Sequence, residues 1–152
     1  MSTDTTDEDL IRVAFVCVRN AGRSQMAAAF AEREVDRRGL GGRVDVLTGG
    51  TRPADSVHDG VRDAMADAGF DASDRQTREI GDEALRGCDY VATMGCSTLD
   101  LGDVDGVAVR DWALDDPDGA APETVREIRD EVGRRVAALF DELERAETGL
   151  GR

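Results

Sequence analysis

Cys17, Arg23 and Ser24 form the pattern Cys-x5-Arg-Ser inside the stretch VAFVCVRNAGRSQMAAAF, Val13 to Phe30. An apolar run ends at the cysteine, small and polar residues follow, and a helical composition begins near Arg23. Successive backbone N–H groups in such a turn can converge on an anion, and the start of a helix adds partial positive charge. A thiol placed there feels both that charge and the Arg23 guanidinium, and each favours the thiolate. Ser24 can donate a hydrogen bond to the sulfur, and Asn20 can brace the loop through its backbone. Gly22 lets the main chain approach an anion closely, and Arg23 offers a planar fork for two oxyanion oxygens. Val18, Arg19 and Ala21 complete the loop, with Arg19 a rim or solvent-facing charge. The competing reading of Cys17 is a packing residue at a strand end; the Arg-Ser continuation into a helix favours the nucleophile.

The surrounding elements are those needed to hold such a loop. Ile11–Val16 reads as a buried strand and Ser24–Arg38 as a helix stopped by Gly39, Gly41 and Gly42. A strand over Val44–Thr48 leads into the turn-rich GGTRPAD, and a helix over Val57–Ala68 closes at Gly69. Ile80–Leu85 reads as a short helical piece, Asp89–Met94 as a third strand and Val107–Asp111 as a fourth. Pro122 opens a long helix to about Glu144, with Val125, Ile128, Val132, Val136 and Leu139 forming an apolar stripe. The alternation predicts an α/β fold, a small four-stranded parallel sheet with helices on both faces. Ligands in such folds sit beyond the carboxyl ends of the strands, where the Cys17 loop falls. We expect a disordered acidic tail at 1–9, one domain over 10–146 and a flexible C-terminus at 147–152.

The chain has 152 residues, with 33 Asp and Glu against 19 cations, for a net charge of -14. Every one of those cations is arginine; lysine is absent. So acidic a surface repels nucleic acid and anionic membrane. Adaptation to high salt or a GC-rich coding bias explains it, and the first is favoured. The polar, acidic start reads as no signal peptide, and no apolar run reaches the length of a membrane span, so the expected location is the cytoplasm. Three cysteines and one histidine give no metal-ligand spacing, and neither a metal nor an organic cofactor is expected.

Taken together, FVCVRNAGRSQMAAAF, GGTRPADSVHDGVRDAMADAGFD, DYVATMGC, DWALDDPDG and VREIRDEVGRRV resemble, in that order, the segments of the low-molecular-weight protein-tyrosine-phosphatase fold, especially its arsenate-reductase branch. The likeness covers roughly Ile11 to Leu143. It implies that Cys17 attacks the phosphorus of a phosphomonoester or the arsenic of arsenate, while Arg23 and the loop amides hold the oxyanion. Asp116, before Pro117, matches the family's general acid, with Asp115 an exposed or capping neighbour. Cys96 falls near the first relay cysteine of the thioredoxin-linked branch; it is either a thiol that resolves the Cys17 adduct or a small loop residue. The further relay cysteine is missing, and Asp103 stands at about its place.

Three functions remain open at this point. An arsenate reductase needs a thioredoxin-, glutaredoxin- or small-thiol-type reductant. A phosphatase of proteins or small phosphomonoesters, including a phosphoarginine-specific one, needs only water. A non-catalytic phosphate-binding or redox-sensing module needs neither. Asp118-Gly119-Ala120 follows Asp116-Pro117 where the resemblance to the tyrosine phosphatases implies tyrosines, which favours a small inorganic oxyanion over an aryl phosphate. Trp112 either walls the pocket or anchors the core, Cys88 reads as packing, and His58 as an exposed or capping residue. Thr51, Arg52 and Pro53 match a loop at the pocket rim, with Arg52 alternatively a solvated charge.

Overall fold

The computed structural model describes residues 10–71, 75–94, 108–112, 114, 115, 117 and 119–151. Its elements follow in the order β1 (Ile11–Cys17), α1 (Arg23–Arg37), β2 (Val44–Gly50), α2 (Asp59–Asp67), α3 (Asp82–Arg86), β3 (Tyr90–Thr93), β4 (Ala108–Asp111) and α4 (Pro122–Gly151). Among the described residues the four strands form one parallel sheet in the order β2-β1-β3-β4. The order reverses at β1: the first connection runs to one side of it and the second crosses to the other. That reversal places the carboxyl end of β1, and so Cys17, at the switch point where α/β sheets open a crevice.

Strand alternation assigns the two faces of β1. Val13, Phe15 and Cys17 belong to a large core with α1, α2 and α4, while Ala14 and Val16 pack with Leu85, Cys88 and Val91 on the α3 side. The apolar stripe of α4 is buried as its spacing predicts, from Val125 through Val136 to Phe140 and Leu143. Trp112 takes the core role: its ring lies 5.9 Å from Phe15 and it does not line the site cavity.

The boundaries differ from expectation where non-local contacts act. β2 runs two residues beyond Thr48, through Gly49 and Gly50, because β1 pairs with it to the end, Cys17 opposite Gly50. α2 starts at Asp59 rather than Val57, since His58 is extended and its N–H is given to the carbonyl of Ala21. α4 continues to Gly151, past the expected end near Glu144. No helix among the described residues is long and apolar enough to cross a membrane.

Candidate active site

A cavity of about 570 Å³ opens at the carboxyl end of β1, lined by Cys17, Val18, Arg19, Ala21, Gly22, Arg23, Arg52, Pro53 and His58. The Cys17 sulfur receives the Asn20 backbone N–H at 3.2 Å and lies 2.9 Å from Ser24 Oγ. Ser24 Oγ itself accepts from Asn20 Nδ2 at 2.7 Å, so its own hydrogen is available to the sulfur. The Asn20 amide thus donates to Sγ, and the Ser24 hydroxyl can donate to it as well.

The rest of the loop is organised by its carbonyls. Val18 O accepts the N–H of Arg52, Arg19 O that of Ala54, Ala21 O that of His58, and Gly22 O that of Met26. Asn20 O accepts from Gln25 Nε2. In a trans peptide the C=O and the following N–H point in opposite directions. Tying these carbonyls to the outer scaffold turns the amides of residues 19 to 23 toward the inside. The Arg19–Asn20 unit displays the rule directly: its carbonyl goes to Ala54, and its N–H goes to the sulfur. Such a ring of amides is an anion nest.

Asn20 braces this loop as expected but chiefly through its side chain. It sits at φ +52, in the left-handed region that asparagine tolerates better than most residues. Its Nδ2 donates to Ser24 and to Thr48 Oγ1, while Oδ1 accepts from the Arg78 N–H and from Gln25. Gly50 is required for the approach of β2: a Cβ there would lie 2.5 Å from Val18 O and 3.0 Å from the Asn20 nitrogen.

Gly22, which lines the cavity, has a second use besides the one its sequence suggests. A Cβ on it would lie 2.8 Å from Pro117 Cγ and 3.7 Å from His58 Cδ2. The missing side chain admits the proline of the Asp-Pro dipeptide. Arg23 also reaches toward that segment, donating from Nη1 to the Leu114 carbonyl at 2.9 Å. The loop after β4 is thereby fastened to the anion nest at two points. Asp116 lies outside the described residues, as do Cys96 and Asp103; Asp115 is exposed.

His58 occupies the N-cap position of α2, within the expectation from sequence, but its side chain makes no capping bond and stands half-buried at the cavity. Arg52 is exposed and lines the rim together with Pro53, and Arg19 is likewise exposed at the rim. Cys88 is buried outside this site, and burial, then the Asp89 carboxylate, pushes its thiol up from 9.0 to about 11. Among the described residues no group of His, Cys, Asp and Glu could hold a metal ion. Gln25, Thr48, Arg75 and Gly50 also belong to the site's support without being marked in the sequence: Thr48, Arg75 and Gly50 act through partners distant in the chain, and Gln25 joins the nearby Asn20 to the distant Arg75 and Gln76.

A family model, low molecular weight phosphotyrosine protein phosphatase, matches residues 12–148. The chain is 58% identical over 142 residues to the "Putative arsenate reductase" of Halobacterium salinarum, covering 93% of this chain and 96% of that one. It is 34% identical to the "Glutaredoxin arsenate reductase" of Synechocystis sp., covering 85% and 95% respectively. Among solved structures it resembles the thioredoxin-dependent arsenate reductase of Corynebacterium glutamicum, at 30% identity and a TM-score of 0.73. That likeness takes in 93% of this chain, which spans 65% of the other protein's length.

Proposed function

The chain belongs to the low molecular weight phosphotyrosine protein phosphatase family, and from that premise we propose that it is an arsenate reductase with Cys17 as nucleophile. The observation that carries the reading is the ring of outward-tied carbonyls around a hydrogen-bonded Cys17 sulfur. It suits a tetrahedral oxyanion held over a thiolate. The described cavity lining contains no phenyl-bearing side chain to grip an aryl group, and the relatives' names point the same way.

In the proposed reaction Cys17 Sγ attacks arsenic, and an As–O bond breaks as Asp116 gives its proton to the departing oxygen, which leaves as water. Arg23 and the loop amides hold the remaining oxygens, with Val18, Arg19 and Ala21 supplying the wall. A second thiol, which we assign to Cys96 or to a small-thiol donor, then attacks the Cys17 sulfur. The S–As electron pair passes to arsenic, reducing As(V) to As(III), and arsenite leaves. When Cys96 supplies that thiol, the resulting Cys17–Cys96 disulfide is reduced by a thioredoxin- or glutaredoxin-type dithiol; when a small thiol supplies it, a second thiol reduces the mixed disulfide and restores Cys17. We place the protein in the cytoplasm, where such dithiols are kept reduced, and ascribe its charge to a saline interior; the Halobacterium relative supports that source.

Phosphatase activity is the second reading, supported by the match to the phosphatase family model over residues 12–148. The deciding assay measures aryl-phosphate hydrolysis beside arsenate-dependent thiol oxidation. A reductase loses thiol oxidation in Cys17→Ser and, where Cys96 is the relay, in Cys96→Ser. A phosphatase hydrolyses the ester, loses that in Cys17→Ser and keeps it in Cys96→Ser.

A further inference from the structure

Of the five peptide units whose carbonyls are turned out of the nest, four are held by main-chain amides and one by a side chain. That one is Asn20–Ala21, held by Gln25. We propose that Gln25, braced by Arg75, is a positioning residue that fixes this peptide so that the Ala21 N–H serves the bound oxyanion. The inference rests on the reading that the Cys17 loop binds an oxyanion.

Gln25 is 2% exposed and Asn20 fully buried, so neither has water as an alternative partner. Gln25 Nε2 lies 3.0 Å from Asn20 O, from Asn20 Oδ1 and from Gln76 O. Two hydrogens serve three acceptors, and the pair on Asn20 lets one side chain fix both the carbonyl and the carboxamide of the left-handed residue. Arg75 Nε donates to Gln25 Oε1 at 2.7 Å and sets which end of the glutamine faces the loop. Turn types I and II differ chiefly by rotation of one peptide unit. Rotation of the Asn20–Ala21 unit would withdraw an amide from the nest and present a carbonyl oxygen to the anion. The Gln25 bonds oppose that rotation. Arg75 stands outside the cavity, paired with Glu32 in a groove on the other side of the loop. A residue remote from the anion thus controls one of its donors.

The test uses the full chain in molar salt. Cys17 alkylation by iodoacetamide is located by mass spectrometry and followed with increasing inorganic phosphate, which yields a protection constant. Gln25→Met, of similar volume, should weaken protection about tenfold, the scale of a lost hydrogen bond to a charged ligand. Arg75→Ala should weaken it roughly threefold. Glu32→Ala, which removes the Arg75 ion pair and leaves the Arg75–Gln25 bond, should change it less than about twofold. Melting temperatures of all three are recorded alongside. An unchanged constant in Gln25→Met, or losses that follow melting temperature across the three, would overturn the proposal. Should Gln25→Met not fold, an unchanged constant in Arg75→Ala overturns it alone. If phosphate fails to protect wild-type Cys17, the oxyanion reading itself falls, a result distinct from the others.

Discussion

Peptide geometry makes the carbonyls of residues 18 to 22 as informative as the thiol they surround, because each outward carbonyl implies an inward amide. Cys17, Arg23 and Ser24 were legible in sequence, since the nucleophile, the cation and the helix start fall within eight residues. Gly50 and Gln25 were not: Gly50 is brought to the loop by β2, and the side chain of Gln25 is oriented by Arg75 and Gln76, some fifty residues on. Gly50→Ala forces a methyl group against Val18 O and should cost about 1–3 kcal/mol in denaturant unfolding. It should also slow Cys17 alkylation, because the displaced atoms belong to the nest. The Cys88 thiol, raised from 9.0 to about 11, should stay unmodified at pH 8 in a native alkylation experiment while Cys17 reacts. A raised thiol value means folding favours the neutral form. That contribution to stability is therefore complete below pH 9 and is lost as pH rises through 11, a loss that Cys88→Ala should remove from the pH–stability curve.

Elements meet through arginines as well as through the core. Near the end of α1, Arg38 gives hydrogen bonds to Glu34, Asp141 and Glu144 and lies over the Phe140 ring, tying α1 to α4. Arg38→Ala should destabilise the fold by about 2 kcal/mol, since the buried Glu34 is left with only the longer Arg37 contact. On the opposite side Arg110 of β4 meets Glu142 of α4 with both nitrogens, and this holds the Glu142 carboxyl below its ordinary value. A lowered carboxyl value means the bridge contributes above the ordinary carboxylate range and fades as pH falls through the depressed one. Both side chains are about a third exposed, so screening limits the contribution to about 0.5 kcal/mol. Arg110→Ala should accordingly differ from wild type at pH 7 and converge with it in acid. The element types were readable from periodicity, and their order gave the parallel sheet. Their ends were less so: Gly49 and Gly50 read as a turn yet extend β2, because pairing with β1 outweighs their low strand propensity.

At the scale of the whole molecule, a charge of -14 built without lysine surrounds a nest made for an anion. The long-range field opposes oxyanion approach in dilute buffer, and salt screens that field within a few ångströms near 1 M. Thermal stability and the apparent affinity for phosphate should therefore both rise between 0.1 and 1 M KCl, roughly speaking, before ion competition at the nest intervenes. The composition announced this screening dependence, while the residues that aim the amides were hidden until the chain was folded. Arsenate-dependent oxidation of a thiol reductant in molar salt tests most directly the proposed role of Cys17 as the thiolate that takes up arsenate. Wild type should turn over with at least one thioredoxin-, glutaredoxin- or small-thiol-type donor, and Cys17→Ser should not. Turnover that survives Cys17→Ser, or none by wild type with any donor, would contradict it.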